Sequence, residues 1–319
     1  GSIGFELWER VGGGDGMYNV VDWSNNRYVY NSSQFAGGFG RLDMLTNERG
    51  GSRYNRPQGE EQLRWNWLSP IVVSPHNADV IYLGSSVVLR SSYRTENWEE
   101  ISPDLTTNDP AKIRGTGSIQ YCTIVSLDES PIVAGLLWVG TDDGNVWVSK
   151  DTGANWTQLN DNITGNPGYW VSRVEPSNHN PAVAYVSYTG YRRDDFRPFL
   201  YKTDDYGETW TDISAGLPNA SINVVREDHK NPNLLFVGNE IGVWVSVDGG
   251  GSWHKMKGDM PTAPVHDIKL HARESDLVVG THGRGIFITD ISWMQELSEE
   301  NLSHDVHLFG VETAVRQLT

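Results

Sequence analysis

Three segments of this chain repeat one pattern of residues. Ser149–Trp156 reads SKDTGANW, Thr203–Trp210 reads TDDYGETW, and Ser246–Trp253 reads SVDGGGSW. Each segment has the form S/T-x-D-x-G-x-x-W, and the aspartates are 54 and 43 residues apart. An internal period of roughly 40–50 residues is typical of the four-stranded blades of a β-propeller. The repeat therefore predicts an all-β propeller.

A degenerate fourth copy and recurring short strands extend the pattern. RSSYRTENW keeps Ser91 and Trp98 but has Tyr93 and Thr95 in place of Asp and Gly. Around each copy, runs of four to six residues rich in Val, Leu, Phe or Trp are bounded by Asn, Asp, Gly or Pro, as strands are. Innermost strands are predicted to begin near Tyr18, Pro70, Cys122, Tyr169, Ile222 and Val265. We expect one domain over residues 1–319, with six to seven antiparallel four-stranded blades.

The last blade lacks an obvious fourth strand after GIFITD. Either Phe5–Val11 or His307–Val311 could close it. If the C-terminal segment closes it, the N-terminal strand belongs to a blade whose remainder is missing, and the chain is then part of a longer protein. Helix is expected only around Ser292–Leu302.

The repeated turns, known as Asp boxes, are predicted to be structural. An aspartate carboxylate can accept hydrogen bonds from backbone N–H groups of its own turn, and glycine supplies a positive φ. The tryptophan is a large apolar anchor between strands or blades. We expect no catalytic role for the residues concerned: Asp151, Trp156, Asp205, Trp210, Asp248 and Trp253.

Composition narrows the classes of partner. The net charge is −16, from 25 Lys and Arg against 41 Asp and Glu, and such a surface repels nucleic acid and anionic membranes. No apolar run approaches the roughly 20 residues of a membrane-spanning helix, so membrane insertion is not expected. The single Cys122 cannot form an intramolecular disulfide, and no Cys/His spacing suggests a zinc site. No metal or cofactor is expected.

The chain also resembles a known group along most of its length. The runs WERVGGGDGMY, RWNWLSPIVVSPHNADVIYLG, WEEISPDLT and PVHDIKLHARESDLVVGTHGRGIFITD look like bacterial secreted, sortilin-like or BNR-repeat glycosyl hydrolase-like propeller proteins. DDFRPFLYKTDDYGETW and NVVREDHKNPNLLFVGNEIGVWVSVDGGGSW show the same likeness. The resemblance implies a secreted, periplasmic or cell-surface protein, with a second propeller or other domains as potential companions.

The chain departs from the enzymes that share Asp boxes. A sialidase would need an arginine triad with an Arg-Ile-Pro-like segment, which this sequence does not contain. Two-propeller xyloglucanases carry an essential Asp in a run resembling ARTDVGGAYR, and the corresponding NSSQFAGGFGR places Gln34 there. A neutral amide cannot act as a general acid or base.

Propeller topology predicts where a site would lie. Loops that enter the innermost strands share one face with loops joining the second and third strands, and the Asp boxes lie on the other face. The first face collects candidate acid/base residues Glu240 and Asp15. It also collects candidate binding residues, namely Trp67, Arg193, Asp194, His282 and Arg284. Several could instead be structural: Arg193 could simply pair with Asp194, and Asp15 could brace its glycine turn.

Two functions remain open at this point. The first is a carbohydrate-interacting propeller, acting as a glycoside hydrolase through paired carboxylates at the central channel. The second is a non-catalytic, sortilin-like scaffold for a peptide or protein ligand. Two carboxylates across a concave pocket would favour hydrolysis, which needs them roughly 5–10 Å apart, and a flat or plugged channel would favour the scaffold.

Overall fold

The structure, a computed structural model, describes residues 10–15, 17–114 and 121–310 and consists of antiparallel sheets arranged as a β-propeller. Six sheets form six blades, and the first strand of each blade is innermost. The first blade contains β1 (Asn19–Val21), β2 (Tyr28–Asn31), β3 (Gly40–Asp43) and β4 (Arg49–Gly50). The second contains β5 (Ile71–Val73), β6 (Ile81–Gly84), β7 (Val88–Tyr93) and β8 (Glu96–Glu100). The third contains β9 (Ile124–Glu129), β10 (Leu137–Thr141), β11 (Val146–Ser149) and β12 (Thr157–Gln158).

The remaining blades follow the same order. The fourth contains β13 (Trp170–Pro176), β14 (Ala184–Gly190), β15 (Asp195–Thr203) and β16 (Thr211–Asp212). The fifth contains β17 (Ile222–Glu227), β18 (Leu235–Asn239), β19 (Gly242–Ser246) and β20 (His254–Lys255). The sixth contains β21 (Val265–His271), β22 (Asp276–Thr281) and β23 (Ile286–Asp290). The predicted fold is confirmed, and each innermost strand begins within two residues of its predicted start.

The three aspartate turns join the third and fourth strands of their blades. In the fifth blade, the Asp248 carboxylate accepts hydrogen bonds from the Ser252 N–H (2.9 Å) and the Ser246 hydroxyl (2.7 Å). Asp151 and Asp205 accept the equivalent backbone bonds, each at 2.8 Å. None of these aspartates lines a cavity in the described residues. Their hydrogen bonds close the turns in which they lie.

Each turn also contacts the preceding blade. A Cβ on Gly250 would lie 2.8 Å from Ile213, the residue that follows the outermost strand of the fourth blade. The Trp253 indole N–H donates to the Ile213 carbonyl at 2.7 Å, and Trp156 makes the same bond to Ile101 at 2.9 Å. The glycine therefore provides space for the neighbouring blade, and in two of the three turns the tryptophan bonds to that blade, whereas Trp210 donates to Gly207 of its own turn at 3.1 Å.

The degenerate fourth copy reverses this complementarity. Thr95 replaces the glycine at a φ of 78°, and the residue that it meets on the first blade is Gly51. Trp98 still donates its indole N–H across the interface, to the Ser52 carbonyl at 2.9 Å. Arg94 adds ion pairs to Asp22 and Asp79, both at 2.6 Å. Here the side chain belongs to the turn (Thr95) and the glycine to the preceding blade (Gly51), the reverse of the other turns. The contact between the two blades is therefore kept without the full motif.

Apolar cores lie between consecutive blades. There are five buried clusters, and each lies between two consecutive blades, from the first and second to the fifth and sixth. Within the described residues, no such cluster joins the sixth blade to the first. The sixth blade has three strands, and Ile286 and Ile288 on its outer strand are about 60% exposed. The hydrophobic packing therefore runs along the series of blades from the first to the sixth.

Neither predicted closing strand is observed in the described part of the chain. His307–Val311 was one prediction, and residues 307–310 contain no strand, so this prediction is wrong there. The other, Phe5–Val11, lies for the most part outside the described residues.

Helices are few and short. α2 (Ser292–Gln295) and α3 (Glu299–Ser303) occupy the predicted helical stretch. A further helix, α1 (Pro110–Arg114), lies between the second and third blades and corrects the prediction of a single helical stretch. No helix in the described ranges is long and apolar enough to cross a membrane.

Candidate functional site

A cavity of about 830 Å³ lies at the centre of the ring, where all six blades contribute residues. Its wall includes the starts of the innermost strands and the loops between second and third strands, which is the face opposite the aspartate turns. The polar residues include Asn66, Arg173, Asn223, Glu240, His266 and His282. The aromatic residues are Tyr18, Trp67, Trp170 and Tyr191. Such a volume is typical of small-molecule sites.

β-bulges aim several of these side chains into the cavity. In four blades the register between the two innermost strands shifts by one residue near the start of the first strand. The extra residues are Val125, Ser172, Asn223 and His266, and all four line the cavity. A bulge re-aims a side chain without ending the sheet. One repeated irregularity of the strands thus supplies part of the wall.

The structure brings together four of the seven predicted site residues. Asp15, Trp67, Glu240 and His282 line the central cavity. Arg193 lines an adjoining smaller cavity, described below, and Asp194 and Arg284 line neither one.

The suggested pairing of Arg193 with Asp194 is not found. The ion pair in this loop joins the next carboxylate, Asp195, to Arg197 at 2.6 Å. Asp194 itself has a φ of 55° at the end of a short 3-10 turn that carries Arg193. In this insertion Asp195 therefore pairs with Arg197, whereas Arg193 lines the smaller cavity.

Glu240 is the carboxylate with the most defined surroundings in the cavity. Its Oε1 accepts a hydrogen bond from the Asn223 amide at 2.9 Å, and Asn223 also donates to the Val265 carbonyl at 3.1 Å. The rings of His266 and His282 lie 4.8 Å apart. Burial lowers the pKa of His266, and the charge on His282 lowers it further, while Glu240 opposes both effects. The site therefore combines a hydrogen-bonded Glu240 side chain with an imidazole whose protonated form is disfavoured by burial.

Asp15 lies on the glycine turn that precedes the first blade. Its N–H donates to the Gln34 side-chain oxygen at 3.2 Å, and the described residues provide no partner for its carboxylate. Gly14 has a φ of 66° and packs against Ser33 and Gln34. Gln34 thus braces the turn that presents Asp15.

Trp65 and Trp67 lie in different surroundings, although neither belongs to a strand and Trp67 lies in a turn. Trp65 is 6% exposed and belongs to the core between the first and second blades. Trp67 lines the cavity, and Phe35 contacts it edge-on at 5.1 Å between ring centroids.

A group of charged residues on the innermost strands was not predicted. Arg226 pairs with Glu175 and with Asp267 (3.2 Å), and Arg173 also donates to Asp267 (2.9 Å). Although burial acts to raise it, the pKa of Asp267 is lowered to about 2 by these two arginines. Burial and the charge of Glu175 raise the pKa of Asp128 to about 6. These residues alternate with apolar residues along strands expected to be hydrophobic, and that alternation is the signal that could have revealed them.

Similar folds occur among solved structures. A GH74 xyloglucanase from Xanthomonas campestris is 20% identical over 84% of this chain, with a TM-score of 0.62. A GH74 enzyme from Niastella koreensis is 17% identical over 86%, with a TM-score of 0.59. The extracellular domain of the putative one component system BT4673 from B. thetaiotaomicron is 13% identical over 86%, with a TM-score of 0.55.

These similarities show the fold alone. This chain spans 44%, 45% and 32% of the three matched chains, respectively, which is less than half of each. No protein-family model matches the chain, and no curated protein matches it in sequence. The shared architecture is a β-propeller.

Proposed function

We propose that this propeller binds an oligosaccharide in its central cavity. The observation that carries the proposal is the wall itself, which combines flat aromatic side chains with amide, carboxylate and imidazole groups from five of the six blades. Mainly apolar or aromatic linings with a few converging polar groups are typical of small-molecule sites. Trp67 and Trp170 provide flat surfaces for sugar rings, and Asn223 and Glu240 provide hydrogen bonds to hydroxyl groups.

Hydrolysis is the finer part of the proposal. Glu240 and Asp15 reach one concave cavity from opposite ends of the chain, as a pair of acid/base carboxylates would. The pairing with Asn223 fixes the Glu240 carboxylate, which suits an acid or base that must meet one substrate atom. We further propose action outside the cytoplasm, in line with the extracellular domain that shares the fold.

A glycan array combined with a panel of chromogenic glycosides tests the proposal. We expect the protein to bind at least one class of oligosaccharide on the array. Trp67→Ala should weaken that binding by about tenfold or more (about 1.4 kcal/mol). Glu240→Gln should abolish any turnover while the melting temperature changes little, because glutamine keeps an oxygen for Asn223. Glu274→Gln, an exposed position in the turn between β21 and β22, is the matched control.

The outcomes separate the two functions. Retention without turnover supports binding and rejects hydrolysis. Binding to no glycan on the array would reject the proposal and leave the peptide-binding scaffold as the alternative.

A further inference from the structure

A second cavity of about 490 Å³ opens between the third and fourth blades, beside the central one. Trp170, Thr189 and Arg192 line both cavities, so the two adjoin. The other side chains of this side cavity include Lys112, Tyr121, Asp142, Asp143, Tyr169 and Arg193. A ligand in the central cavity therefore lies next to the side cavity.

The two acidic side chains of the side cavity are already occupied. The Asp143 carboxylate accepts hydrogen bonds from the Thr107 N–H (2.7 Å) and hydroxyl (2.6 Å) and from the Thr141 hydroxyl (2.5 Å). The Asp142 carboxylate accepts from the Thr123 N–H (3.0 Å) and hydroxyl (2.6 Å) and from Asn66 (3.1 Å). Both residues are less than 10% exposed. All of these donors are neutral, and neither carboxylate forms a salt bridge with a cation of the wall.

The three cations of the side cavity have no carboxylate partner in the described part of the chain. None of Lys112, Arg192 and Arg193 forms an ion pair with the described residues. This is unexpected in a chain with a net charge of −16, whose neighbouring Arg173 and Arg197 are both paired. The wall thus concentrates unpaired positive charge on an acidic protein.

The loop that carries the two arginines is held in place. Arg192 stacks on Trp170, with its Cζ 4.1 Å from the ring centroid, and Tyr121 contacts the same indole edge-on at 6.0 Å. A guanidinium that stacks on an aromatic ring keeps its N–H groups available in its own plane, where they fit an oxyanion. Asp195 anchors the base of the loop through Arg197 and through the Tyr169 hydroxyl (3.2 Å).

We propose that the side cavity binds the anionic group, a carboxylate or a sulfate, of an acidic sugar residue whose neighbours occupy the central cavity. Arg192, Arg193 and Lys112 supply the positive charge, and Trp170 supplies the surface against which the sugar ring lies. This inference rests on the proposed function, since it names the class of oligosaccharide that the same site takes.

The test compares neutral and acidic ligands on one protein. Neutral gluco-oligosaccharides, oligogalacturonides and sulfated oligosaccharides of equal length are titrated by calorimetry at low and high salt. We expect the wild type to bind at least one acidic series about tenfold more tightly than the neutral series, with the difference reduced by salt. The uronate and sulfate arms identify which oxyanion is taken.

Variants assign the preference to the side cavity. Arg193→Gln and Lys112→Gln should each lower the ratio of acidic to neutral affinity about tenfold. Arg273→Gln makes the same change in net charge on an exposed arginine of the opposite face, in the turn between β21 and β22, and should leave the ratio unchanged.

The result also distinguishes this inference from the proposed function. Equal affinity for neutral and acidic series would overturn the anionic site and leave oligosaccharide binding intact. If Arg273→Gln lowers the ratio of acidic to neutral affinity as much as Arg193→Gln does, the preference is an effect of net charge and the anionic site is rejected. Failure to bind any series would reject both proposals.

Discussion

Glycine recurs in the second strands of the blades. Two equivalent positions test whether glycine is needed there because the next blade leaves no space for a side chain. Gly238 and Gly280 occupy matching places in β18 and β22, and neither has a positive φ, so backbone conformation does not require glycine at either one. A Cβ on Gly238 would lie 2.5 Å from Val265 of the next blade and 2.7 Å from Val224. Among the described residues, a Cβ on Gly280 would have one neighbour within 4 Å, a carbonyl oxygen at 3.6 Å, which is an ordinary contact.

The expected magnitudes follow from these distances. Gly238→Ala overpacks a stiff valine interface, which costs about 1–3 kcal/mol. In a domain somewhat smaller than this one, each kcal/mol of lost stability lowers the melting temperature by about 2–4 °C. The melting temperature of Gly238→Ala should therefore fall by several degrees. Gly280→Ala should leave stability unchanged or slightly raised, because alanine restricts the unfolded chain.

Thermal unfolding, followed by calorimetry and by the fluorescence of the 13 tryptophans, measures both variants. Gly258→Ala, where nothing lies within 4 Å, controls for the glycine-to-alanine change itself. Equal destabilisation by Gly238→Ala and Gly280→Ala would refute the steric reasoning, as would two neutral results.

Three further changes have defined outcomes. Asp248→Ala should lower the free energy of unfolding by about 1–2 kcal/mol, measured in urea, and leave ligand binding intact. Arg94→Leu should cost about 3 kcal/mol, because the buried Asp22 loses its cation, and Arg94→Lys should restore part of it. Burial raises the pKa of Asp142 from 3.8 to about 7, so the folded state binds the proton more tightly and stability falls as the pH rises from about 4 to 7. Asp142→Asn should flatten that fall in a pH series of melting curves, and an unchanged slope would contradict the shift.

Much of the fold could be predicted because its determinants are local. The aspartate turns need residues only a few positions apart, and the alternation of short apolar runs with turn residues marks the strands. α1 was missed although Asp109 and Pro110 form a helix start, with the Asp109 carboxylate accepting from the Ala111 N–H at 2.8 Å. At one turn, the helix is too short to show an apolar period.

The site could be predicted only as far as topology places loops. Asp15 and Glu240 were assigned to one face because of the loop types that carry them, and they do line one cavity. Which of several neighbouring charges pair depends on how the loop folds. The sequence therefore did not reveal that Arg197 pairs with Asp195 while Arg193 forms no ion pair with the described residues. The bulges depend on how the two innermost strands pair, and no pattern of residues in this sequence marks where that pairing shifts.

The bulged positions have a consequence for how this scaffold can change. A residue outside the ladder register pairs with no partner on the neighbouring strand, so its side chain can be exchanged without disturbing the hydrogen bonds that define the sheet. Val125, Ser172, Asn223 and His266 are four such positions, distributed over four consecutive blades around one cavity. These positions therefore line the cavity without taking part in the backbone pairing of the two innermost strands. A library randomised at these four positions should consist mainly of folded proteins that differ in what they bind.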